Sequence, residues 1–143
     1  MPRIQYWHAM LRVSDPKETI DFFGLLDLYE VERIDNEAGR FTLYFLAVRG
    51  DEDRAQIELT HNWDESGFGG GRNFGHLCFY VENIYSTCQH LADAGVTINR
   101  PPRDGLLAFV QTPDGISIEL VQAERRALPP QEPWVSMSND GTW

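Results

Sequence analysis

Two segments of the chain repeat one short pattern. Gln56-Ile57-Glu58-Leu59-Thr60 and Ser117-Ile118-Glu119-Leu120-Val121 each set a Glu between Ile and Leu. Each follows an apolar run that opens on a His, His8 in the first half and His76 in the second, at a repeat of roughly 65–70 residues. A chain patterned this way folds as a duplicated unit. Strand alternation then decides which side chains share a face.

The halves read alike along their length. Residues 5–13 form an apolar strand, and Asp15-Pro16-Lys17-Glu18 opens a helix with Asp15 as N-cap, Pro16 at N1 and Glu18 at N3. Ile20, Phe23 and Leu26 give that helix its apolar face. Strands over 28–34, 41–48 and 54–62 complete a βαβββ module, 5–63. Residues 64–73, rich in Gly and acidic side chains, are the linker, and their spacing does not match a dinucleotide fingerprint. The second module, 74–122, has a strand at 75–81 and a helix capped by Asn83, with Ile84, Cys88 and Leu91 on one face and Gly95 at its end. A short strand at 96–99 is expected next. A hairpin of 106–111 and 116–122 then turns at Thr112-Pro113-Asp114-Gly115. Residues 123–143 are a polar, Pro-containing tail whose Trp134 and Trp143 imply packing on a surface. The fold class is α+β, one domain of two βαβββ modules over residues 1–143.

Parity sorts the strands. His8, Met10 and Arg12 point away from Ala9, Leu11 and Val13; Gln56, Glu58, Thr60 and Asn62 point away from Ile57 and Leu59. His76, Cys78 and Tyr80 oppose Leu77, Phe79 and Val81, and Ser117, Glu119 and Val121 oppose Ile116, Ile118 and Leu120. His8, Glu58, His76 and Glu119 therefore all lie on the polar faces of their strands. A lone strand His is ordinarily a plain polar residue, and a lone Glu ordinarily faces solvent. Four placed equivalently in a repeat reverse that reading, because carboxylates gathered on a concave sheet need a cation or other partners. Imidazole and carboxylate together suit Zn, Ni, Co, Fe or Mn. His61, on the apolar side of its strand, and His90, on a helix surface, have no counterparts and are read as bystanders.

Composition narrows the partners. A formal net charge of −10 argues against nucleic acid. No apolar run reaches the ~18 residues of a membrane span, and no secretory leader pattern opens the sequence. Cys78 and Cys88 lack metal-type spacing and sit in apolar patterns, which reads as reduced packing residues in a cytoplasmic setting. Of the 12 basic residues all but Lys17 are Arg, the side chain whose planar fork suits carboxylates.

The segments His8-Ala-Met-Leu-Arg-Val, Ile57-Glu-Leu-Thr-His-Asn-Trp63, Phe74-Gly-His76, Leu107-Ala-Phe-Val-Gln and Pro113-Asp-Gly…Ile-Glu119-Leu resemble glyoxalase I (lactoylglutathione lyase), of the vicinal oxygen chelate superfamily of paired βαβββ modules. The resemblance runs over residues 5–122 and stays in register in both halves. It implies isomerisation of the methylglyoxal–glutathione hemithioacetal to S-lactoylglutathione, with a carboxylate moving the proton through a metal-bound enediolate. His8, Glu58, His76 and Glu119 would ligate one divalent metal per site. The short linker resembles the Ni- or Co-activated class more than the Zn class. Glu119 would be the base, with Glu58 its counterpart. Arg12, Asn62, Arg72 and Arg103 would bind glutathione, the co-substrate, and the sites would form across a homodimer.

The chemistry of the residues agrees. A Lewis acid holding both vicinal oxygens stabilises an otherwise too basic enediolate, and a neighbouring carboxylate can carry a proton between adjacent carbons. Local Arg would offset the acidic overall field for an anionic substrate. One departure stands out: the loop Arg103-Asp104-Gly105-Leu106 puts an acid where the family often has Lys. It motivates an alternative, an epimerase or isomerase acting on another thiol or thioester. A non-catalytic binding protein of the same superfamily is a further alternative, disfavoured by retention of all four ligand candidates.

Overall fold

The computed structural model describes residues 6–68, 71 and 74–143. The chain divides into two compact units, Met1–Gly69 and Gly70–Trp143. No helix among the described residues is long and apolar enough to cross a membrane.

The first unit runs β1 (Ala9–Arg12), α1 (Pro16–Gly24), β2 (Leu28–Asn36), β3 (Phe41–Val48) and β4 (Ile57–Asn62). Its mixed sheet has the order β1-β4-β3-β2. β1 lies parallel to β4, with Met10 opposite Glu58 and Arg12 opposite Thr60. β3 runs antiparallel to β4, with Phe45 on the other side of Glu58. Asp15 caps α1 as its sequence predicts, its Oδ1 accepting from the Glu18 N–H at 3.2 Å. The helix buries Thr19, Phe22 and Phe23, whereas Ile20 and Leu26 are only half-buried. The buried stripe is thus turned by about one residue from the one expected. Leu11, Val13, Leu46, Ile57 and Leu59 complete the core beneath it.

The second unit runs β5 (His76–Val81), α2 (Ile84–Asp93), β6 (Leu107–Gln111) and β7 (Ser117–Gln122), in the sheet order β5-β7-β6. β5 is parallel to β7, with Cys78 opposite Glu119; β6 is antiparallel to β7, with Phe109 opposite Glu119. The Asn83 Oδ1 accepts from the Tyr85 and Ser86 N–H groups at 3.0 and 3.1 Å. Ile84, Tyr85, Cys88 and Leu91 form the buried face of α2.

The strand expected at 96–99 does not form. Its remnant is a single bridge between Arg100 and Phe109, where the Phe109 carbonyl accepts from both the Asn99 and Arg100 N–H groups. Pro101 and Pro102 follow at once, and neither has the N–H that a ladder needs. The loop beyond is held by its own acid. Asp104 Oδ1 accepts from the Leu106 and Leu107 N–H groups at 2.9 and 3.2 Å, and the Arg100 guanidinium meets the same carboxylate at 3.2 Å. Burial pushes this carboxyl up, but Arg100 and the two amides outweigh that and hold it below the usual Asp range.

The tail is pinned to the second unit. Leu128 N–H donates to the Gly105 carbonyl at 2.9 Å, and Asp140 N–H donates to that of Asn99 at 2.8 Å. Trp134 is 3% exposed. Gly105 has a φ of +68°, and a Cβ there would fall on the Leu128 carbonyl. Gly105→Ala should therefore cost about 2–4 kcal/mol, read as a lower denaturant midpoint, since it combines backbone strain with a clash. Asp104→Asn should destabilise the protein near neutral pH. A carboxyl lowered on folding contributes stability above its unfolded value of about 3.9 and loses it as pH falls through its folded value. The gap between parent and variant midpoints should accordingly close below about pH 4.

Candidate metal centre

Each unit brings one imidazole to one carboxylate by the same register. In both, the His stands two residues before the residue that pairs with Glu: His8 before Met10, opposite Glu58, and His76 before Cys78, opposite Glu119. Equal parity aims His and Glu to one face. His8 Nε2 lies 3.9 Å from Glu58 Oε2, and His76 Nε2 lies 2.8 Å from Glu119 Oε2. Glu58 and Glu119 are half-buried, as is His8, while His76 is more open.

These pairs fit a divalent metal in donor type and spacing. Two donors sharing an ion at about 2.1 Å stand roughly 3 Å apart, and the two separations bracket that value. Neutral imidazole and ionised carboxylate form a borderline-hard set. Each pair offers two of the donors that a coordination shell needs. Among the described residues no group of three or more metal-binding side chains converges.

Both cysteines are free, but only Cys88 is a packing residue. Burial pushes its thiol up to about 12. Cys78 is exposed on β5. Burial, and then the negative charge and hydrogen bond of Glu119, push its thiol up to about 11.

The candidate substrate contacts separate. Arg12 is exposed one register step beyond the His8–Glu58 pair and makes no ion pair among the described residues. Asn62, on the same face of β4, has a buried Oδ1 with no hydrogen-bond partner among the described residues. Arg103 is half-buried, and its Nη1 donates to the Met137 carbonyl at 2.9 Å, so one of its donors is committed to the tail. Arg72 lies outside the described residues.

Two residues that sequence reasoning missed complete the geometry. Phe45 and Phe109 flank the two glutamates on the side away from the histidines' strands. Phe45 meets His8 edge-to-face with ring centroids 5.8 Å apart, and Phe109 meets His76 likewise at 5.5 Å. The signal was available in principle, since each is the cross-strand neighbour of a Glu already singled out. It requires the antiparallel register, which spacing alone does not supply.

Residues 5–120 match the Glyoxalase/Bleomycin resistance protein/Dioxygenase superfamily. The lactoylglutathione lyase of Pseudomonas aeruginosa is 40% identical over 142 residues, covering 81% of each chain. The probable lactoylglutathione lyase of Synechocystis sp. is 38% identical over 125 residues, covering 83% of this chain and 95% of its own. Among solved structures, the trypanothione-dependent glyoxalase I of Leishmania major superposes with a TM-score of 0.78 at 27% identity, over 84% of this chain and 87% of that one. Glyoxalase I from Zea mays superposes with a TM-score of 0.73 at 27% identity, over 84% of this chain but 44% of the maize chain. The superfamily match over residues 5–120 and these likenesses make the chain a member of the glyoxalase superfamily, among its glyoxalase I (lactoylglutathione lyase) enzymes.

Proposed function

We propose that this protein isomerises the hemithioacetal of methylglyoxal and glutathione to S-lactoylglutathione, as a cytoplasmic homodimer with one divalent metal per site. The observation that carries this is the register-equivalent pairing of His8 with Glu58 and of His76 with Glu119. Because each unit holds two donors, a full shell needs one pair of each kind, and we assign their union to the interface of two copies. The maize chain, of which this one covers 44%, is long enough to carry two such domains, which supports pairing. Nickel or cobalt is preferred over zinc, and the two modules serve as one glyoxalase-like domain. Two free thiols and a glutathione co-substrate suit a reducing compartment.

When bound, the metal supplies the Lewis acidity that makes the substrate's carbon acid ionisable. The protein does the rest. Glu119 is the base: its carboxylate takes the proton from one substrate carbon and returns it to the next. Glu58 holds the equivalent place in the other half and shares the ligand role. Arg12 and Arg72 take the glutathione carboxylates, Asn62 accepts a peptide N–H through its orphaned Oδ1, and the remaining donors of Arg103 reach the same carrier.

The acid in the Arg103–Leu106 loop no longer argues against glutathione, since Asp104 is neutralised by Arg100 and by its own loop amides. A different thiol carrier is the second reading. It is favoured by the likeness to the Leishmania major enzyme, whose glyoxalase I is trypanothione-dependent. Metal analysis of the purified protein, joined to thioester absorbance with methylglyoxal and either thiol, tests both. A protein that loads no metal, or forms thioester with neither thiol, refutes the assignment.

Glu119→Gln should keep its fold but lose about 10²–10⁴-fold in turnover, measured on metal-loaded protein. His76→Ala should lower metal content on atomic analysis. Arg12→Ala should mainly raise KM for the hemithioacetal, leaving kcat near the parent value.

A further inference from the structure

We propose that the C-terminal tail forms part of the metal half-site in the second unit, with Trp143 as a positioning residue that sets the His76 ring through Phe109. The inference rests on the reading of His76 as a ligand. Trp143 stacks on Phe109 with ring centroids 5.5 Å apart and planes 20° apart. Phe109 in turn presents its ring to His76 edge-to-face, at 85°. Such ring contacts have a preferred geometry and add to burial alone.

The first unit supplies the precedent. There Trp7 stacks on Phe45 at 6.0 Å and 5°, and Phe45 meets His8 at 76°. The order His–Phe–Trp is the same, but the source of the Trp differs. Trp7 comes directly before His8, whereas Gly75 comes directly before His76. A Cβ at Gly75 would meet nothing within 4 Å. The chain fills the equivalent place from its far end. Gln111 Nε2 donates to the Thr142 carbonyl at 3.1 Å, and Asn99 Nδ2 donates to that of Asp140 at 2.8 Å, which anchors the tail beside β6. The superfamily match ends at residue 120, so the tail lies beyond it.

The stack answers a need. A metal-bound His ordinarily donates its second ring nitrogen to a carboxylate, carbonyl or water, which fixes the ring. Here His8 Nδ1 is buried without a partner, and no hydrogen bond to His76 Nδ1 is found among the described residues. The imidazoles are oriented by aromatic packing instead. His76 is the more exposed of the two and depends more on the ring behind it.

Nickel titration of metal-stripped protein, followed by calorimetry, compares the parent with Trp143→Ala and Trp143→Phe. The alanine variant should bind nickel about tenfold more weakly, the low end for loss of a group that orients a ligand. Phenylalanine should restore most of the affinity, and the metal-free unfolding midpoint should stay near the parent's in both. In metal-free protein the His76 Hδ2 resonance should move in Trp143→Ala and return toward the parent position in Trp143→Phe. Unchanged nickel affinity in Trp143→Ala overturns the proposal, as does a phenylalanine variant no better than alanine. Weaker binding matched by an equal fall in metal-free stability marks Trp143 as structural only and overturns it too. A parent that takes up no nickel refutes the metal reading itself; a His76 resonance indifferent to Trp143 refutes the ring contact alone.

Discussion

Each half of this protein depends on one parallel strand pair. In β1–β4 and in β5–β7 the register puts a His two residues before the residue that faces a Glu. A slip of one residue would send both donors to opposite faces and bury the wrong set. The antiparallel neighbour secures the register from the other side, through Phe45 or Phe109 across from the Glu. The apolar partners, Leu11, Ile57 and Leu59 in one unit and Ile118 and Leu120 in the other, are buried and make the slip costly. The chemistry therefore inherits its geometry from the core.

Charge is arranged around these pairs with economy. The chain is strongly acidic, yet the acids that its sequence sets in awkward places are used locally. Asp104 closes its own loop and meets Arg100, while burial and then the charge of Glu119 push the Cys78 thiol up. Arg12 is left exposed on the polar face of β1. The arginines thus divide between those that hold loops together and those left exposed, a division that their number in the sequence does not reveal.

Much of the fold was legible because it rests on local physics. The caps at Asp15 and Asn83, the turn at Thr112–Gly115 and the strand alternation follow from side-chain hydrogen bonds, backbone preference and period. The failures share a cause. The 96–99 segment is apolar enough for a strand, but Pro101 and Pro102 end its ladder after one bridge. The stripe of α1 turned toward Thr19 and Phe22 because packing on β4 and β2, not period alone, chose the buried side. Cys78 read as a packing residue because its sequence neighbours are apolar, yet β5 is an edge strand whose polar face, with Cys78 on it, stays open.

The candidate ligands were readable for a further reason: duplication. His8, Glu58, His76 and Glu119 recur at matching places in a repeat, and parity needs no tertiary information. The sequence by itself determined the strand pattern, the shared faces and the superfamily likeness, because these depend on neighbours along the chain. Only the tertiary structure decided that Asp104 turns into its own loop, that Phe45 and Phe109 back the two pairs, and that Trp143 returns to β6. Those contacts join residues far apart in sequence, and their selection rests on shape and hydrogen bonding that no local period encodes.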